Sequence, residues 1–159
     1  MKADRVVIRP MLQEEHDAVA HMFHDVWHET QAKLQDPRKA AIRGYDFFKG
    51  RIDIPEVRTL VAVEKGQIIG FARWELGHLH SLFVGQGQRG KGIGEKLCYA
   101  VVAANNAEGG GTLALDCVEG NNAARRFYER HGWRVSETID STDETAEGQI
   151  VVRHWMMVK

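Results

Sequence analysis

The chain has 159 residues, 43% of them hydrophobic and 27% charged, which suits one compact domain and leaves too little for two independent cores. Its 21 Lys and Arg against 22 Asp and Glu leave a formal charge of -1, which removes the general electrostatic argument for a nucleic-acid or anionic-membrane partner. No apolar run reaches the ~20 residues of a spanning helix, the first ten residues lack the apolar stretch of a signal peptide, and Cys98 and Cys117 sit apart in apolar segments, so a soluble, cytoplasmic protein with reduced thiols is expected.

Residues 5–9 read as a short strand, and from residue 13 to about 30 the apolar residues Val19, Met22, Phe23, Val26 and Trp27 recur at helical spacing. A second helix is expected over 37–49, with Asp36 as cap, Pro37 at its first position, and Ala40, Ala41, Tyr45 and Phe48 on one face. Residues 57–64 and 67–75 are β-rich runs separated by Lys65-Gly66, a hairpin pattern, and residues 78–84 form a third consecutive strand. Five glycines then fall within residues 85–94. Helical spacing returns with Ile93, Leu97, Ala100, Val101 and Ala104, and Gly109, Gly110 and Gly111 break it. Residues 112–118 read as a strand and 121–131 as a short helix stopped by Gly132. Two last strands, 133–139 and 150–158, flank an acidic polar loop. The pattern is a mixed sheet with helices, of the α/β or α+β class.

The glycine-rich stretch satisfies three patterns. Gly85-x-Gly87-x-x-Gly90 is a formal dinucleotide fingerprint with Asp116 as a ribose ligand, but only one βαβ unit is visible and Asp116 comes late for that role. Gly85-x4-Gly90-Lys91 resembles a P-loop, yet Gly92 stands where a Mg²⁺-binding hydroxyl belongs. In the third pattern, Arg89-Gly90-Lys91-Gly92-Ile93-Gly94 opens a helix, so its unpaired N–H groups and the helix dipole can cradle a diphosphate, with Arg89 and Lys91 adding charge. A Cβ at Gly92 or Gly94 would obstruct that approach. A glycine turn with a solvated basic rim is the plainer alternative.

Two further motifs favour the cradle. Leu82-Phe-Val84 followed by Gln88-Arg-Gly-Lys-Gly-Ile-Gly94 resembles the acyl-CoA signature of the GNAT superfamily of N-acetyltransferases. Asn121-x-x-Ala124-x-x-x-Tyr128-Glu129-x-x-Gly132-Trp133 is similar to a second segment of that family, and the likeness extends over nearly the whole chain. The resemblance implies a single domain, 1–159, with a largely antiparallel mixed sheet splayed between its fourth and fifth strands. It also implies acetyl transfer from acetyl-CoA to a primary amine of a small molecule or peptide, by direct attack in a ternary complex.

On that resemblance the backbone of residues Arg89, Gly90, Lys91, Gly92, Ile93, Gly94 and Glu95 holds the diphosphate of coenzyme A. The pantetheine arm pairs with the exposed backbone of Phe83 and Val84, and the Val84 N–H stabilises the oxyanion. Tyr128 protonates the departing sulfur, its alternative being an aromatic that packs the helix beside Phe127. Asn121 is matched as a cofactor-side residue and is equally a good N-cap. Many members carry an acid where this chain has His78, so His78 and His80, at period two on one strand with Glu75 nearby, are the candidate bases. Glu29 is a candidate for holding the amine. A non-catalytic acyl-CoA sensor on the same fold is the competing function.

Other groupings carry less. His21, His24 and His28 share a helical face with Asp17 and Asp25, which reads as solvated rather than as a metal site. Cys117 has no activating partner in the sequence, and Trp74, Trp133 and Trp155 suit core or cleft walls. Glu29, Asp46, Asp53 and Glu56 are compatible with a cationic amine or with an ordinary surface. The oligomeric state is not encoded in any motif, and a homodimer is compatible with the chain.

Overall fold

The computed structural model describes residues 5–159. A seven-stranded sheet runs in the order β1-β2-β3-β4-β5-β7-β6. Its strands are β1 (Val7–Pro10), β2 (Arg58–Glu64), β3 (Gln67–Glu75), β4 (His78–Val84), β5 (Ala114–Val118), β6 (Arg134–Thr145) and β7 (Gly148–Val158). Every neighbouring pair is antiparallel except β4 and β5. The helices are α1 (His16–Glu29), α2 (Pro37–Ile42), α3 (Tyr45–Ile52), α4 (Ile93–Ala107) and α5 (Asn122–Arg130).

Local chemistry explains the connections. The β2–β3 hairpin turns through Lys65 and Gly66, both at positive φ (52° and 75°), the twist that a tight two-residue hairpin needs. Strand β5 lies parallel to β4, which requires a crossover, and α4 supplies it. The buried residues of α4, Ile93, Leu97, Cys98, Val101 and Asn105, make one stripe that packs with Ala62, Leu79 and Leu115 on one face of the sheet. On the other face α1 and α3 pack Phe23, Trp27 and Phe48 against Phe71. At the far end of α4, the buried Asn105 receives the Gly77 N–H at 2.8 Å and donates to the Gly111 carbonyl at 2.9 Å, pinning the β3–β4 turn to the loop before β5.

Two expectations need correction. The single helix over 37–49 is two helices, because Arg43 leaves the helical region (φ -97°, ψ 73°) and Gly44, extended, starts α3. The acidic segment 140–149 is not a loop: β6 continues to Thr145 and pairs with β7 down to Thr145 opposite Gly148. This long hairpin carries Asp143 to α2, where Lys39 meets it at 2.5 Å and Arg43 at 3.9 Å.

Two irregularities in β4 set up the site. Arg73 pairs with Ser81 and Trp74 with Leu79, so His80 is an extra, bulged residue. On its other edge β4 touches β5 only at His78 opposite Ala114 and Leu79 opposite Leu115. Beyond Leu79 the two strands part.

Candidate active site

The parted strands open into a cavity of about 380 Å³. Its walls come from β4 (Leu79 to Phe83), β5 (Leu115 to Val118), the α5 residues Ala124 and Tyr128, and residues of α1, α2, α3 and the β6–β7 hairpin. A larger recess of about 800 Å³ beside β1 and β2 shares none of these residues, and its charges are already paired, Arg58 with Glu108 at 2.7 Å and Lys49 with Asp53 at 2.9 Å.

Backbone direction along β4 follows from its pairing with β3. The Gly85 N–H donates to the Ile69 carbonyl at 2.8 Å, and strand amides alternate sides, so the N–H and C=O of Val84 and Leu82 turn away from β3 toward the gap. With β5 gone, they lack a strand partner there. Phe83 instead sends its ring to Phe23 and Phe71, with centroids 5.3 and 5.7 Å away.

The glycine stretch leads into α4. Gly92 caps the helix in the left-handed region (φ 77°), and Gly87 and Gly90 are left-handed too (both φ 78°). A Cβ placed on Gly90 or Gly92 would meet nothing within 4 Å. Among the described residues no acceptor takes up the N–H groups of residues 89–95, the first bond being Lys96 N–H to the Gly92 carbonyl. The result is an open row of donors at the positive end of a helix, the arrangement a diphosphate fits. A Cβ on Gly94 would make an ordinary contact with the Phe127 ring at 3.4 Å.

Tyr128 is half-buried, with its ring edge-on to Trp133 at 5.6 Å and to Phe127 at 5.3 Å. Its carbonyl receives the N–H groups of both His131 and Trp133, the Gly132 N–H goes to Glu129, and Gly132 is left-handed, a Schellman closure that fixes the residue from behind. Burial, reinforced by Cys98 and Cys117, raises its pKa and keeps the phenol protonated. Asn121 caps α5, accepting the Ala124 N–H at 3.2 Å, and also lines the cavity. Burial pushes the Cys117 thiol up to about 11, which leaves it inert as a nucleophile at neutral pH.

Of the two strand histidines only His80, on the bulge, lines the cavity; His78 lies behind it with ring centroids 4.5 Å apart. Burial and the neighbouring His78 lower the His80 pKa, opposed by Glu75 at 3.4 Å. Glu29, Asp46 and Glu56 line neither recess, and Asp53 belongs to the other one. On the polar face of α1, Asp17, His21 and Asp25 are exposed, with His21 stacked on Tyr45 at 4.2 Å, while the half-buried His28 donates from Nε2 to the Arg43 carbonyl at 2.6 Å.

Sequence reasoning missed the cationic side of the cavity. Lys39, Arg43, Arg51 and Arg73 all line it, against the carboxylates Asp116 and Asp143. Burial lowers the pKa of Lys39 and Arg43 and, together with the charge of Arg51, brings Arg73 down to about 10. Burial works against the Asp143 charge, but its hydrogen bond from Lys39 and the nearby Arg43 keep it ionised. No such cluster is visible as a local motif, because its members come from α2, α3, β3 and β6.

A helix-start cradle beside a parted sheet, with a phenol in the gap, defines an acyl-CoA-dependent transferase. A family model of the Acetyltransferase (GNAT) family matches residues 19–133. The chain therefore belongs to that family and is an acyltransferase that uses acetyl-CoA. Among solved structures it is similar to a GCN5-related N-acetyltransferase from Rhodopseudomonas palustris, 21% identical, with a TM-score of 0.78 over 100% of this chain and 98% of that one. It is also similar to the PaiA N-acetyltransferase of Thermoplasma acidophilum in complex with coenzyme A, 18% identical, TM-score 0.74, covering 98% of each chain. A third likeness is to YncA, a putative acetyltransferase from Salmonella typhimurium with acetyl-CoA, 17% identical, TM-score 0.72, covering 96% of this chain and 92% of that one. No curated protein sequence matches.

Proposed function

We propose that the protein is an N-acetyltransferase that moves an acetyl group to a primary amine by direct attack in a ternary complex. The observation that carries this reading is the convergence, on one cavity, of the unpaired β4 backbone and the Tyr128 side chain, with the donor row of residues 89–95 nearby at the start of α4. Acetyl-CoA supplies an activated thioester. The N–H groups of residues 89–95 hold its diphosphate, and the backbone of Leu82 and Val84 offers strand-like pairing to its amide-bearing arm.

Each side chain then has a task. The Val84 N–H, fixed by the β3–β4 ladder, faces the oxygen that gains charge as the amine adds. Tyr128, kept protonated by burial, gives its proton to the departing sulfur. Asn121 steadies the start of α5 and with it the distance from Tyr128 to the gap. His80 accepts the proton that the ammonium must lose, directly or through water.

A thiol-release assay with acetyl-CoA over amino acids, polyamines, aminoglycosides, amino phosphates and peptides tests the reading. Turnover with at least one amine is expected; tight coenzyme A binding without turnover on any of them would make the protein a sensor instead.

The His80 assignment predicts a particular pH profile. Its pKa lies below the usual 6.5, so the neutral, proton-accepting form persists at pH 7 and is lost only as pH falls through the lowered value. The acid limb of kcat/KM should therefore titrate below pH 6.5, and in His80→Ala that limb should vanish with a loss of roughly a hundredfold in kcat. A limb that survives the substitution assigns the base elsewhere.

A further inference from the structure

We infer that the acyl acceptor is a small amine that also carries an anionic group, a carboxylate or a phosphate. Arg43, Arg51 and Arg73 hold that group on the α2–α3 side of the cavity, while the amino group meets Asp116 and His80 on the β4–β5 side. This rests on the acetyltransferase reading and adds the substrate class.

The charges in the cavity do not balance. Asp143 serves two cations at once, Lys39 at 2.5 Å and Arg43 at 3.9 Å. Arg51 and Arg73 have no carboxylate within ion-pair distance among the described residues, although Arg73 is only 4% exposed. The Arg73 guanidinium donates to two neutral oxygens, the Arg51 carbonyl at 2.9 Å and Ser81 Oγ at 3.2 Å, and its buried Nε has no partner. A buried cation satisfied only by neutral groups is costly, and an anion brought in by a ligand offsets that cost.

The presentation of the guanidiniums fits the same occupant. Arg43 lies over Trp27 and Phe47, at 4.9 and 4.5 Å from the ring centroids, and Arg51 over Phe47 at 5.0 Å. These rings hold the guanidiniums in place; Asp143 takes one edge of Arg43, while the Arg51 donors meet no side-chain acceptor among the described residues and are free to grip carboxylate or phosphate oxygens in pairs. A polyamine or aminoglycoside would bring like charge to this side of the cavity. Asp116, which makes no ion pair among the described residues, is the remaining carboxylate for an ammonium. A zwitterionic amine therefore matches the cavity at both sides.

Matched pairs of amines test this on the whole enzyme: each common α-amino acid against the amine left by its decarboxylation, and O-phosphoethanolamine against ethanolamine, with spermidine as a polycation. In at least one pair the member that carries the carboxylate or phosphate should exceed the partner that lacks it in kcat/KM by roughly tenfold to a hundredfold, the range for hydrogen bonds to charged groups. The two kinds of pair distinguish carboxylate from phosphate. In Arg51→Ala that advantage should shrink about tenfold through KM of the amine, with KM for acetyl-CoA unchanged and partial return in Arg51→Lys. Arg51 is suited to this because its side chain is exposed and makes no hydrogen bond that the fold needs. Amines without an anionic group turned over as well as their carboxylate- or phosphate-bearing partners, or an advantage indifferent to Arg51→Ala, overturns the inference and leaves the acetyltransferase reading intact. Absence of thiol release with every amine overturns both.

Discussion

Tyr128→Phe is expected to lower kcat by roughly a hundredfold or more while leaving coenzyme A affinity nearly unchanged. Phe keeps the ring that packs edge-on against Trp133 and Phe127, so the wall of the cavity survives. It removes only the hydroxyl, which makes no hydrogen bond to a described side chain and is therefore available to a ligand. Steady-state kinetics together with calorimetric titration of coenzyme A separate the two quantities. If the residue were a packing aromatic alone, Phe would retain wild-type turnover, and that result would remove Tyr128 from the chemistry.

Gly92→Val should weaken coenzyme A binding by at least about tenfold. Two effects act in the same direction. A β-branched residue at φ 77° strains the backbone by roughly 1–2 kcal/mol and distorts the cradle. Its side chain also enters the open space over the donor row, where the protein itself offers no contact within 4 Å. Calorimetry at a temperature where circular dichroism shows the variant folded gives the affinity, and Gly90→Ala, at the neighbouring left-handed position, provides a milder second probe. Undiminished affinity in both would place the diphosphate elsewhere.

The glycine-rich half of the candidate site was legible because it is local. A strand, a glycine run and a helix start are contiguous, so the residues that make the donor row stand next to each other in the chain, and the Asn121 to Trp133 motif is a single cap-to-cap helix. The acceptor half was not. Arg43, Arg51, Arg73 and Asp143 are ordinary charged residues in the sequence, and only the packing of α2, α3, β3 and β6 around one cavity brings them together. The break at Arg43-Gly44 was hidden because Ala40, Tyr45 and Phe48 keep helical spacing across it. The second half of β6 was hidden because Asp140, Thr142 and Glu144 alternate with Ser141 and Asp143 and offer no apolar face to read. Glu29, Asp46, Asp53 and Glu56, which the sequence left compatible with a cationic amine or an ordinary surface, all lie outside this cavity.

The parting of β4 from β5 has a mechanical consequence. It divides the sheet into plates of four and three strands, joined edge to edge by two residue pairs and bridged by α4. A guest lying in that crevice acts as a missing rung for the upper seam, so its binding energy is added to the cohesion of the folded state by mass action. Resistance to heat and to proteases is therefore expected to rise with the concentration of thiol carrier supplied.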